Sequence, residues 1–356
     1  MRALARIGAA LALALSSRAP AADVAAQMSV QRDVVFGNPS PLARAETLLA
    51  RVMSPLLREK VRADAAATGL TINEQSIDLA NERFSLYVPV ATAPAAGFGL
   101  LVYVSPFDKA AIPSPWLPVL ARHRLIAVSA ANSGNDENVM DRRIPLALAG
   151  YENVGKRYRL DPARVYVGGL SGGSRVALRL ALAFPDVFRG ALLNAGSDPI
   201  GTIAVPLPDA GMFRLFEERS RLVYVTGSED AAALVADTNS RDSARDACFF
   251  DLVTLTMHGR GHEAADPVTF GHALDALDAP RTSDARADAC RAARDNQIGR
   301  QLAAVEKHME AGDRHDAVRQ LDAIDAHFGG LAAPTSVEIA HRLSMSASAA
   351  RRSSKP

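Results

Sequence analysis

Apolar residues recur in two rhythms along this chain. Phe98–Val104, Leu125–Ala130, Val165–Gly168, Gly190–Asn194, Leu222–Thr226 and Phe249–Met257 are short, continuous apolar runs. Strands covered on both faces read this way, because neither side alternates toward water. Two earlier segments, Gln75–Ala80 and Arg83–Val88, are joined by Asn81-Glu82 and predict an antiparallel hairpin at the sheet edge. Between the later runs, Trp116–Arg122, Arg142–Arg159, Ser174–Ala183 and Leu234–Ala247 carry helical spacing, and Val268–Leu277 follows the last. Strands alternating with helices imply right-handed crossovers and a mostly parallel sheet. The expectation over residues 75–280 is therefore an α/β fold: eight strands, mostly parallel, with flanking helices.

Three segments fall outside that core. Residues 27–74 predict an N-terminal helical segment, with Leu42, Ala45, Leu48, Leu49, Val52 and Leu56 on one stripe of Pro41–Thr68. Residues 281–350 predict two or three short helices, interrupted by Gly312, Gly329-Gly330 and Pro334, as a stabilising extension whose protein partner the sequence does not name. Residues 351–356 read as a disordered tail. At the other end, Arg2 and Arg6 precede the apolar run Ile7–Leu15 and a small-residue stretch to Ala26. That is the pattern of a secretory signal over residues 1–26, cleaved at about 21–26. The run is too short to act as a membrane anchor, so export to a periplasm or the exterior is expected.

Composition narrows the partners. With 48% hydrophobic residues among 356, the chain can bury one large core and an appendage. A formal charge of +1 gives no reason to expect nucleic acid or an anionic membrane. The only cysteines are Cys248 and Cys290. In an oxidising compartment they would pair and tie the extension to the core; otherwise they stay as two thiols.

The chemistry is concentrated in Val165-Tyr-Val-Gly-Gly-Leu-Ser171-Gly-Gly173, an apolar run entering Gly-x-Ser-x-Gly. A sharp strand-to-helix turn exposes the serine hydroxyl, and the next helix aims its first amides at the same point. Two partners should follow in the order acid, then histidine. Gly227-Ser-Glu-Asp230 closes one strand, which makes Asp230 the first choice and Glu229 the second, with helix capping the simpler role for either. His258-Gly-Arg-Gly-His262 closes the next, and His262 sits deeper in the loop than His258. Gly259 and Gly261 argue against the helical geometry a zinc pair needs. The expected oxyanion donors are the amide of Gly172 and, since Pro106 has none, that of Phe107 or Ser105. No phosphate-cradling loop, metal cluster or cofactor fingerprint is legible, so cofactor-free chemistry is expected.

These residues resemble the α/β-hydrolase superfamily, in particular its secreted esterases related to poly(3-hydroxybutyrate) depolymerases and feruloyl esterases. The resemblance rests on Tyr158-Arg-Leu-Asp161-Pro162-Ala-Arg164, the serine turn, and Phe184-Pro185-Asp186-Val-Phe188, with Gly227-Ser-Glu-Asp230 and Gly261-His262-Glu263 as acid and base loops. It covers roughly residues 75–280. Ser105-Pro106 stands where the family often has His-Gly. The resemblance implies a secreted serine hydrolase that cleaves small-molecule or polymer-borne carboxylic esters through an acyl-enzyme. A peptidase or thioesterase with the same triad, and a non-catalytic binding protein on the same scaffold, are the alternatives.

Overall fold

A computed structural model of the chain describes residues 29–90, 92–281 and 284–353. The signal expected over residues 1–26 lies outside them. Eight strands form one sheet: β1 (Gln31–Val34), β2 (Phe84–Tyr87), β3 (Phe98–Val104), β4 (Leu125–Ala130), β5 (Leu160–Leu170), β6 (Gly190–Asn194), β7 (Arg221–Gly227) and β8 (Leu252–Met257). Their order is β1-β2-β4-β3-β5-β6-β7-β8. β2 pairs antiparallel with β1 and with β4, and every pairing from β4 to β8 is parallel.

Alternation of side chains across the pleat builds two cores. Leu100, Val102 and Val104 of β3 face one, while Leu101 and Tyr103 face the other. Helices α4 (Ile144–Arg157) and α5 (Gly172–Ala183) cover the first face. Helices α3 (Leu117–His123) and α8 (Pro267–Asp278) cover the second, where Trp116 stacks on Phe270 at 3.9 Å.

The expected hairpin is corrected at its first strand. Gln75–Ala80 is not a strand but an irregular segment ending in a turn, in which Asn81 N donates to Asp78 O at 2.9 Å. Asp78 Oδ1 also accepts from Ala80 N at 3.1 Å. This side chain supplies a local partner that competes with a strand ladder. The edge position is taken by Gln31–Val34, so residues 27–74 are not helical throughout.

Pro41–Thr68 is likewise broken into a short turn and two helices, α1 (Ala45–Val52) and α2 (Pro55–Thr68). Ser54 stops one and starts the other: its Oγ accepts from Leu57 N at 3.1 Å, and Pro55 occupies the first helical position.

Helices α6 (Ala210–Arg219) and α7 (Ala231–Asp246) flank the later strands. The extension comprises α9 (Ala287–Glu310), α10 (Arg314–Phe328) and α11 (Thr335–Ser353). α9 has 24 residues, so the expectation of short helices fails there. α11 continues to Ser353, so the chain is helical past the expected start of a tail at residue 351, and residues 354–356 lie outside the described ones.

The extension has its own core of Ile298, Leu302, Val305, Leu321, Ile324 and Phe328, into which α2 inserts Leu56. Ser54 Oγ donates to the buried Asp325 Oδ2 at 2.7 Å. At the far end Cys248 and Cys290 form a disulfide with Cα atoms 5.7 Å apart. Arg294 pairs with Glu217 of α6 at 3.1 Å and donates to Ala247 O at 3.0 Å.

Candidate active site

Ser171 lies between β5 and α5 with φ 56° and ψ −121°. A serine holds that left-handed backbone only where the surroundings enforce it, and the result is an outward hydroxyl. Two glycines make the turn possible. A Cβ on Gly169 would sit 2.3 Å from the Gly173 carbonyl, and one on Gly173 would sit 2.0 Å from Val104 O. Helix and strand therefore approach more closely than any side chain permits. Ser171 N donates to Asn194 O at 2.8 Å, fixing the turn against the end of β6.

The acid and base segments follow β7 and β8, at the same carboxyl-terminal edge of the sheet as Ser171. Asp230 divides its two oxygens between two tasks. Oδ1 accepts from Ala233 N at 3.1 Å and caps α7, while Oδ2 accepts from His262 Nδ1 at 2.6 Å. The capping role and the role as the imidazole's partner thus coexist in one side chain. The Asp230 side chain is 8% exposed and the imidazole 52%, so a buried carboxyl group holds a ring that is half open to solvent.

The two loops clasp each other: Glu229 N donates to Arg260 O at 2.9 Å, and Gly259 N to Ser228 Oγ at 2.9 Å. Ala265 anchors the base loop twice. Its amide donates to Asn194 Oδ1 at 2.8 Å, and its carbonyl accepts from Trp116 Nε1 at 2.7 Å.

The structure thus brings Asp230 and His262 together and does not bring Glu229 or His258 to that pair. No hydrogen bond joins the His262 ring to Ser171 Oγ among the described residues. Such contacts commonly shorten only when a substrate is bound. Gly172 is the first residue of α5, so its amide has no intrahelical partner. The Phe107 amide is a different case: it donates to Ser105 Oγ at 3.0 Å, which corrects its expected role as a free oxyanion donor. The Phe107 ring itself is exposed.

Asn194 was not legible as a site residue. Its Nδ2 donates to Val225 O at 2.9 Å and to Glu263 O at 3.2 Å, so it joins β7 to the base loop while its carbonyl holds Ser171. A lone asparagine ending an apolar strand is the one signal the sequence offered. Far from this edge, His308, Asp313 and Asp316 lie close together at the α9–α10 turn. There Asp313 Oδ1 caps α10, accepting from Asp316 N at 3.3 Å.

The strand order, the serine turn after β5 and the acid–histidine pair after β7 and β8 define an α/β-hydrolase fold. Compared by sequence, the chain matches no protein-family model and no curated protein. Among solved structures it is similar to the S-formylglutathione hydrolase FrmB from Staphylococcus aureus, at 11% identity over 55% of this chain and 92% of that one, with a TM-score of 0.42. It is also similar to the esterase Est2 from Thermogutta terrifontis, at 15% identity over 57% and 88%, with a TM-score of 0.41. A ferulic acid esterase shares 14% identity over 54% and 89%, with a TM-score of 0.40.

Proposed function

We propose that this chain is an exported serine hydrolase that cleaves carboxylic esters through an acyl-enzyme. The observation that carries the reading is the Asp230–His262 hydrogen bond of 2.6 Å, at the sheet edge where Ser171 holds its strained turn. His262 takes the Ser171 proton as Oγ attacks the ester carbonyl, then returns it to the departing alcohol. Asp230 keeps the proton of Nδ1 in place, which leaves Nε2 as the base, and it stabilises the imidazolium that forms. Water then repeats the sequence on the acyl-serine. The Gly172 amide stabilises the oxyanion in both halves.

Small aryl or short acyl esters are the substrates we assign, and the exposed Phe107 ring on the loop after β3 is the apolar group available to such a substrate. The Cys248–Cys290 bridge supports export to an oxidising compartment.

A fluorophosphonate probe tests the reading. It should label the purified protein at Ser171, and Ser171→Ala should remain unlabelled with an unchanged circular dichroism spectrum. A folded wild-type protein that takes up no label would instead be a binding protein on a hydrolase scaffold.

A further inference from the structure

An oxyanion site needs at least two donors, and the Gly172 amide is one. The loop after β3 does not supply the other through Pro106, which has no N–H, or through Phe107, whose amide is engaged by Ser105 Oγ at 3.0 Å.

The loop after β4 lies against it. Asn135 N donates to Pro106 O at 3.0 Å, and Asn132 N to Asp108 O at 2.6 Å. This clasp lays the exposed Asn135 carboxamide on Gly172: a Cβ there would lie 2.1 Å from Asn135 Oδ1 and 3.2 Å from Nδ2.

Arg143 decides which end of the amide faces outward. The residue is 3% exposed, and its guanidinium forms no ion pair with a carboxylate among the described residues. It donates from Nε to Ser133 O at 3.0 Å and from Nη2 to Ser105 O at 3.3 Å and Asn135 Oδ1 at 3.4 Å. A guanidinium only donates, so the amide oxygen turns toward it and Nδ2 is left facing solvent beside Gly172.

We propose that Asn135 Nδ2 is the second oxyanion donor, a side-chain group completing a site whose other half is the Gly172 amide. The inference rests on the serine-hydrolase reading above. It also explains why residue 172 is glycine: any side chain there would drive the Asn135 amide away. On this account Arg143 is a positioning residue, acting through Asn135.

The test compares p-nitrophenyl ester kinetics of wild type, Asn135→Ala, Gly172→Ala and the double variant. Asn135→Ala should lower kcat by about 10²–10³-fold with KM within about threefold. The inhibition constant of a trifluoromethyl ketone, whose serine adduct carries an oxyanion, should rise by a similar factor. Gly172→Ala should lower kcat alone and cost little more once Asn135 is alanine. Arg143→Lys should lower kcat at constant KM in the Asn135 protein and not in Asn135→Ala; equal losses in both would remove its positioning role.

An Asn135→Ala kcat within threefold of an active wild type would overturn the assignment while leaving the hydrolase reading intact. A wild type that neither turns over esters nor takes a fluorophosphonate would overturn both.

Discussion

Asn194 and Ser171 share a backbone hydrogen bond of 2.8 Å, and the Asn194 side chain simultaneously holds the base loop at Glu263 O and Ala265 N. One wholly buried residue therefore ties the Ser171 turn to the loop carrying His262. Asn194→Ala keeps the backbone bond and removes the side-chain bonds. Leaving the buried Ala265 amide unsatisfied should cost about 1–3 kcal/mol of stability. The looser base loop should lower kcat roughly 10–100-fold with KM near wild type. Denaturant unfolding and steady-state kinetics measure the two effects separately.

Asp230 can be dissected in the same way, because its oxygens serve different partners. Asp230→Asn keeps an acceptor for the Ala233 amide but disturbs the imidazole tautomer, so kcat should fall about 10³–10⁴-fold at near-wild-type stability. Asp230→Ala should lose the same activity and a further ~1 kcal/mol of stability, the typical cost of a missing cap. Equal unfolding midpoints for the two variants would contradict the shared role.

Asp237, buried in α7, makes stability depend on pH. Burial pushes its carboxyl up to about 6, against the lowering effect of the Thr226 hydroxyl that donates to Oδ2. Oδ1 is left without a hydrogen-bond partner, and the neighbouring Gly196 and Ser197 amides, like Arg241, only partly offset the effect of burial. A carboxyl whose folded value lies above its unfolded one stabilises the fold below about pH 4, and that contribution is lost as pH rises through 6. Asp237→Asn cannot ionise. Its stability relative to wild type should therefore climb between pH 4 and pH 7, by at most about 3 kcal/mol. Urea unfolding across that range reads the difference, and a flat difference would contradict the burial argument.

The Cys248–Cys290 bridge closes a sequence separation of 42 residues between the α7–β8 turn and α9. Replacing both cysteines by serine should cost at most about 4 kcal/mol through the unfolded chain's regained freedom. The site is anchored by Asn194 and Trp116 instead, so kcat at moderate temperature should stay within about twofold. Thermal unfolding with and without reductant provides the stability measurement.

The parallel strands and the serine turn were legible because burial on both faces leaves an unbroken apolar run, and because Gly169 and Gly173 are demanded by backbone contact. The hydrogen-bonded pairing of Asp230 with His262 was legible from their place after successive strands. The edge strand Gln31–Val34 was not, since three of its four residues are exposed and it carries no periodicity. Ile77 and Leu79 alternate like a strand, yet they reach the core from an irregular segment. Asn135 and Asn194 have meaning only through residues distant in sequence, which no local pattern announces.

Covalent attachment of the acyl group to Ser171 distinguishes an acyl-enzyme from every other route to ester cleavage. The protein is mixed with p-nitrophenyl acetate, quenched in acid within the first turnover, and digested for peptide mass analysis. A burst of p-nitrophenol equal to the enzyme concentration and an acetyl group on the Ser171 peptide are expected. Turnover with no acetyl on Ser171, or undiminished turnover by Ser171→Ala, would contradict the acyl-enzyme.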